Sequence, residues 1–241
     1  FSVTGTQHIF SVSGLHVGFI VALISAFSSI LHAGAGLKTA AVALACSGYS
    51  FMAGAGPSSL RATIMAVAAC AGEAAGRGNT LNSLGLAAFI LLFCNPFMLF
   101  DPGFQLSFMA TYALISSAPA LEGFLMARLP RLRFIAGPLA VSVAAQLGTA
   151  PVIMCYFGRV TPTGVLANLI IVPLAGIILI VALVSGFAGI LIPVSSIPLN
   201  LGNSVLLRIM CGIARLMARL PGSVLEFSAP APAIAVYYGF L

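Results

Sequence analysis

Apolar runs long enough to cross a lipid bilayer recur along the whole chain, and short turns rich in glycine and proline separate them. A helix needs about 20 apolar residues to span the hydrocarbon core. Hydrophobic residues make up 61% of the 241 residues and charged residues only 6%, with a mean hydropathy of +1.16. Too little polar surface remains to cover a water-soluble globule. The sequence therefore predicts an all-α fold, a polytopic transmembrane helical bundle that forms a single domain over residues 1–241.

About eight membrane spans are predicted from the apolar runs. They cover residues 9–31, 37–52, 59–75, 81–100, a stretch from the Asp101 turn to 118, and residues 134–157, 163–174 and 177–192. A polar insertion is expected at 119–133 and an amphipathic segment at 199–220. Prolines within or beside the spans predict interrupted helices, broken at Asn95–Gln105 and Thr161–Pro173. Because irregular backbone at membrane depth is tolerated only against protein or a water-filled cavity, these breaks indicate an interior path.

Positive charge in short loops predicts the orientation of the bundle. Alternating the first five spans places Lys38, Arg77 and the arginines of residues 128–133 on one shared side, which we expect to be cytoplasmic. The amino terminus of the segment then lies outside. Arg61 and Arg159 fall near the outer side and depart from the rule, which makes them the cations of greatest interest.

Ionisable groups inside the membrane are costly, by about 2.5–3.5 kcal/mol at a helix centre on insertion scales. Arg61, Glu73 and His16 lie deepest in the predicted spans. For Arg61, contact with an anionic substrate and snorkelling to a headgroup are both open. Glu73 is interpreted as a partly solvated carboxylate that pairs with Arg77 at i, i+4. His16 is either a hydrogen-bonded structural histidine or a pore residue.

Enzymatic patterns in the sequence are incomplete. Ser11–Gly14 with His16 resembles the nucleophile motif of rhomboid proteases, but no later helix supplies a histidine base. The histidines and acidic residues lack metal-ligand spacing. Gly34–Thr39 lacks the glycine that must precede the lysine of a P-loop, because Leu37 stands there. We therefore expect no enzyme activity, no metal and no cofactor, and favour a channel or transporter with a weakly basic interior.

Four ordered blocks of sequence resemble the ComEC competence proteins, the bacterial inner-membrane channels for incoming transforming DNA. The blocks are Thr4–His8 with Ser13–Gly18, then Ser58–Ala62, then Asp101–Phe108, and finally Phe157–Arg159 with Leu166–Leu169 and Val172–Pro173. From Gly176 onward the similarity is in hydropathy alone.

The resemblance implies a domain of the bacterial cytoplasmic (inner) membrane that passes single-stranded DNA from outside into the cytoplasm during natural transformation. It implies as partners the lipid bilayer, flanking oligonucleotide-binding-fold (OB-fold) and metallo-β-lactamase-like domains of the same protein, and a cytoplasmic helicase or DNA-binding proteins. Any nuclease activity would belong to a flanking domain. Because the chain begins at Phe1 and ends inside an apolar stretch, we expect it to be a segment of a longer protein. The resemblance predicts neither an oligomeric state nor what powers translocation.

A single DNA strand can be passed without sequence preference by sparse cations that contact phosphates and by aromatic faces that contact bases. On the matching blocks, Arg61 and Arg159 are predicted to be outer-side phosphate contacts. Gln105 and Asn168 are predicted to be neutral hydrogen-bonding groups in the broken segments, and His16 a residue that lines the DNA path.

Asp101 is expected to cap the helix that begins near Pro102 rather than to contact a polyanion. Two alternative functions stay open at this point. A secondary transporter for a small solute would use the broken helices and a buried Glu73. A structural membrane platform for flanking domains would have no continuous polar path.

Overall fold

The computed structural model describes residues 14–128, 133–192, 194, 196–219 and 225–226. Its α-helices are α1 (Gly14–Ile30), α2 (Ala35–Met52), α3 (Pro57–Ala74), α4 (Thr80–Cys94), α5 (Pro102–Arg128), α6 (Arg133–Phe157), α7 (Gly164–Leu191) and α8 (Ser196–Ala218). A 3₁₀ helix at Pro96–Phe100 lies between α4 and α5. Two short strands, β1 (Arg159–Val160) and β2 (Leu225–Glu226), pair with each other. The predicted all-α class is confirmed.

Three described helices are long and apolar enough to cross a membrane, namely Phe134–Phe157, Gly164–Ile190 and Ser196–Ala218. Two shorter apolar helices, α1 and α4, accompany them. Large apolar side chains are exposed along most of the helices, as expected where lipid rather than water surrounds the protein. The chain is therefore a membrane protein. The start of the first predicted span, residues 9–13, lies outside the described residues.

The predicted polar insertion at 119–133 is wrong as far as Arg128, because α5 continues through Pro119 to that residue. A proline inside a helix removes one backbone hydrogen bond. Packing against α6 holds the helix on both sides of the proline: Ala113 and Ala118 are buried, and a Cβ at Gly137 would meet the Glu122 carboxylate at 3.1 Å. Tertiary packing thus overrides the local polar composition.

The predicted break at Thr161–Pro173 is confirmed only for Thr161–Thr163, and the division into two spans is wrong, since α7 begins at Gly164 and runs without interruption across Pro173. The proline is exposed on the helix face away from the buried residues Ile171 and Ala175. By contrast, the break predicted at Asn95–Gln105 is confirmed. There α4 ends at Cys94, and the 3₁₀ turn and Asp101 precede α5.

The described residues form two compact units, one holding α1–α6 and the other holding α7 and α8. In the first unit, the Gly14 amide donates to Ser58 Oγ at 3.0 Å and Arg61 contacts Ser107, so α1, α3 and α5 begin at one end. We call it the Arg61 end. The opposite end, called the Lys38 end, holds the ion pair between Lys38 and Glu73.

The second unit is an antiparallel helical hairpin. Ala167, Ile171 and Ala175 of α7 form a buried cluster with Met210 and Ala214 of α8. At the other end of the hairpin, Ser185 Oγ donates to Asn200 Oδ1 at 2.8 Å. The two helices are therefore packed along their length, which fixes α8 at the same membrane depth as α7.

Candidate functional site

Arg61 is the buried cation of the first unit. Its side chain leaves α3 one turn after the helix begins and is only 9% exposed. The Nε atom donates to Ser107 Oγ at 2.7 Å, and Nη1 donates to Thr111 Oγ1 at 2.5 Å. Ser107 and Thr111 are four residues apart on α5 and so share one face of that helix. The guanidinium thus joins α3 to α5.

The charge of Arg61 has no acidic partner in the part of the chain that the structure describes. The sequence contains four acidic residues, and the one described ion pair is Lys38 Nζ to Glu73 Oε2 at 3.1 Å. A buried charge is normally paired because its transfer from water is costly. Here neutral hydroxyl groups accept the hydrogen bonds. This leaves the positive charge without a negative partner among the described residues.

The snorkelling interpretation of Arg61 is wrong. A snorkelling side chain keeps its charged head in the polar headgroup region, whereas the Arg61 guanidinium turns inward to α5 and is buried. The short hydroxyl side chains of α5 explain the difference, because they offer acceptors inside the bundle.

Aromatic rings surround the same end of the first unit. The Arg61 guanidinium lies over the Phe108 ring at 5.9 Å, and Phe108 stacks on Phe104 with ring centroids 4.2 Å apart. His16 of α1 stacks on Tyr49 of α2 at 6.4 Å. A cation beside stacked aromatic faces is the combination that proteins use to hold single-stranded nucleic acids without sequence preference.

The backbone of α1 lies close to Arg61 because position 14 is glycine. A Cβ added at Gly14 would meet Arg61 Nη2 at 2.7 Å and Ala62 Cβ at 3.2 Å. The Ser58 hydroxyl accepts the Gly14 amide, which is one of the donors that a helix start leaves free. Three helices therefore converge on one guanidinium.

This convergence unites three of the four sequence blocks. Gly14, Ser58 and Ser107 each belong to a different block, and all three lie around Arg61. Sequence reasoning selected Arg61 but missed Ser107, Phe108 and Thr111. Phe108 and Ser107 stand in the same block as the selected Gln105. Phe108 lies one helical turn after Phe104, and Ser107 lies one turn before Thr111. This spacing was the available signal that each pair shares a helix face.

The structure places the other predicted site residues as follows. Gln105 donates from Nε2 to the Leu99 carbonyl at 2.9 Å and so satisfies a backbone acceptor of the 3₁₀ turn. Asn168 lies in the first turns of α7, where its buried Oδ1 has no hydrogen-bond partner among the described residues. Arg159 begins β1, and its side chain lies outside the described part. Since Tyr156 hydroxyl contacts the Phe100 carbonyl at 3.4 Å, the end of α6 that precedes Arg159 lies at the Arg61 end.

Two further expectations can be checked at the helix ends. The predicted pairing of Glu73 with Arg77 is wrong, since Glu73 pairs with Lys38 across α2 and α3 and its side chain is 66% exposed. Because α3 ends at Ala74, Arg77 is no longer on the same helix. The cap at Asp101 is confirmed, because its Oδ1 accepts the Phe104 amide at 2.9 Å.

The sequence matches the family model described as Competence protein over residues 1–241. It is 32% identical over 173 residues to ComE operon protein 3 of Bacillus subtilis (strain 168), a match that covers 70% of this chain and 21% of that protein. The chain thus spans about a fifth of the length of that relative. No solved structure matches it.

Proposed function

Because this chain belongs to the competence protein family, we propose that it is the membrane channel domain of a ComEC-type protein, passing single-stranded DNA into the cytoplasm during natural transformation. The single observation that carries the proposal is Arg61, a buried guanidinium whose described hydrogen-bond partners are neutral. A phosphate that enters at the Arg61 end supplies the missing negative charge. The partly exposed rings of Phe108, His16 and Tyr49 supply faces for the bases.

The proposed path begins at the Arg61 end, and Arg159, Gln105, His16 and Asn168 are its further proposed contacts. Weak holding suits conduction, because a site that binds too tightly does not release. The hydroxyl partners of Arg61 contribute to this weakness, since they compete with phosphate for the same N–H donors. We propose the cytoplasmic membrane as the location, with the Arg61 end outside.

No chemical step is assigned to this segment. The proposed role is passage alone, with degradation of the second strand left to a flanking domain and the driving force to a cytoplasmic helicase or to DNA-binding proteins. The transporter alternative needs a buried carboxylate to couple an ion. Glu73 does not meet this need, because it is exposed and already paired with Lys38.

The proposal is tested with Arg61→Gln and Arg61→Lys in the purified chain reconstituted in neutral lipid, using a mixed-sequence single-stranded oligonucleotide. Arg61→Gln is expected to weaken binding and to lower the salt slope by about 0.7, the value for one phosphate contact on a single strand. Arg61→Lys, which keeps the charge, should retain most of the slope. Arg128→Gln removes an exposed arginine at the far end of α5 and is the matched control.

Two results would contradict the proposal. The first is wild-type protein that binds no single-stranded DNA under these conditions. The second is an Arg61→Gln variant that keeps wild-type helical content, DNA affinity and salt slope. A parallel measurement of transformation frequency, with the same substitutions in the parent protein, separates binding from passage.

A further inference from the structure

Three arginines follow one another in a stripe on one side of α8 and of the turn that ends it. Arg208 and Arg215 are seven residues apart and so recur at almost the same angle around the helix, and Arg219 follows four residues later in the turn directly after Ala218. All three are exposed, and no described residue pairs with them. From Arg208 to the end of α8 at Ala218 this side extends over about 15 Å of helix axis at 1.5 Å per residue.

The stripe lies on the face of α8 opposite to the one that packs on α7. Met210 and Ala214, which belong to the buried cluster, point about half a turn away from the arginines. Asn203 is buried on the same packed face. The arginines therefore do not take part in the hairpin interface, and their positions are free for another contact.

The depth of Arg208 follows from the packing of the hairpin. α7 has 28 residues without a charged side chain and is long enough to cross a bilayer. Met210, two residues beyond Arg208, clusters with Ala175, which lies in the middle part of α7. Because α8 runs antiparallel along α7, Arg208 lies near the membrane midplane.

Contact with lipid headgroups does not explain an arginine at that depth. Snorkelling serves cations near helix ends, and a lipid-facing charge at the midplane is among the costliest placements in a membrane. Nor can α8 lie flat in the interface as an amphipathic helix, because its apolar face is joined to a membrane-spanning partner. Arg208 must therefore face water or an anion within the membrane.

We propose that Arg208, Arg215 and Arg219 form a phosphate track for the single strand, so that α8 lines the DNA path. This inference rests on the proposed function and extends the path to α8. Residues from Gly176 onward were expected to be similar to the family in hydropathy alone, but the family model covers them as well. Unpaired guanidinium groups in single file complement a chain of regularly spaced phosphates. Their charge also lowers the barrier that hydrocarbon opposes to a polyanion.

The test compares the triple variant R208Q/R215Q/R219Q with R208K/R215K/R219K in the reconstituted chain. The glutamine variant is expected to lower the salt slope of single-strand binding by about 2, the sum for three phosphate contacts. The lysine variant should lower it much less. The control is Arg77→Gln with Arg128→Gln, which removes two exposed arginines of the other unit.

Each outcome decides the inference. An unchanged salt slope in a folded glutamine variant overturns it and leaves the proposed function standing, whereas a wild-type chain that binds no single strand overturns both. If the variant instead loses association only with vesicles that contain an anionic phospholipid, the stripe serves lipid and the inference fails. Should the triple variant not fold, Arg208→Gln against Arg208→Lys decides in the same way, with an expected slope difference of about 0.7.

Discussion

The Nε atom of Arg61 donates a 2.7 Å hydrogen bond to the hydroxyl of Ser107. This bond joins the first turns of two helices that are separated by more than forty residues in the sequence. It also holds the guanidinium against Phe108 rather than letting it extend to the membrane surface. Side chains of α5 therefore set the position of the charge. Substitutions on α5 should move the Arg61 guanidinium even though residue 61 itself is unchanged.

Removing the hydroxyl groups of Ser107 and Thr111 is expected to release Arg61. In the variant Ser107→Ala with Thr111→Val, a buried charged group loses its two side-chain oxygen acceptors, which costs about 1–3 kcal/mol for each unsatisfied group. The free energy of unfolding in mixed detergent should fall accordingly. Ser116→Ala is the control, since this exposed hydroxyl bonds locally to the Tyr112 carbonyl and to Ser117. Equal stability of the double variant and the control would contradict the assignment.

Adding a methyl group at Gly14 is expected to displace the Arg61 guanidinium. The new Cβ would lie 2.7 Å from Nη2, and overpacking of this kind typically costs about 1–3 kcal/mol. Gly18→Ala is the matched control, because nothing lies within 4 Å of a Cβ at that position one turn along α1. Gly14→Ala should weaken single-strand binding and lower thermal stability, while Gly18→Ala leaves both near wild type. Identical behaviour of the two variants would show that α1 does not approach Arg61 closely.

The sequence was sufficient to predict the fold class and the interruption before Asp101, and it selected Arg61, whose role in the DNA path stays a prediction. These features depend on local properties: the length of the apolar runs, a proline beside an acidic cap, and a cation that departs from the positive-inside rule. The grouping of Ser107, Phe108 and Gly14 around Arg61 was beyond reach. It depends on which helix faces pack together, and many polar stripes in the sequence are equally compatible with a packing face.

The continuity of α5 and α7 could not be predicted for a related reason. Prolines and polar residues mark helix ends when the helix stands alone. In this protein Pro119 and Pro173 lie inside helices because residues before and after each proline pack against a neighbouring helix, as Ile171 and Ala175 do around Pro173. Burial supplied by a partner outweighs one lost backbone hydrogen bond, and the partner is not visible in local sequence.

Asp101 is expected to stabilise the start of α5 through its side chain alone. Its Oδ1 accepts the Phe104 amide, and loss of such a cap costs about 0.5–2 kcal/mol. Asp101→Ala should therefore lower the free energy of unfolding by that amount, and Asp101→Asn should restore most of it, because asparagine also caps helices. If instead both variants change DNA affinity without changing stability, the carboxylate has a role in the path rather than at the helix end.

Replacing Glu73 is expected to have little effect. Its side chain is 66% exposed in its ion pair with Lys38, and exposed pairs contribute about 0–1 kcal/mol. Glu73→Gln should leave both stability and single-strand passage within that range of the wild type. Raising the ionic strength should reduce the difference further. A large loss of passage in a folded Glu73→Gln variant would favour the ion-coupled transporter over the channel.

Gly148 is expected to be the least replaceable glycine of the interface between α5 and α6. A Cβ there would overlap Ala113 Cβ and would lie 2.8 Å from the Met109 carbonyl oxygen. Neither atom belongs to the end of a flexible side chain, so the two helices must separate. Close approach through small residues is a main source of helix association in membranes.

Gly148→Ala should therefore destabilise the first unit by about 1–3 kcal/mol or more, measured by unfolding in mixed detergent. Gly123→Ala on α5 meets nothing within 4 Å and should gain slightly from its higher helix propensity. If Gly148→Ala were as stable as Gly123→Ala, α5 and α6 would not pack at this crossing.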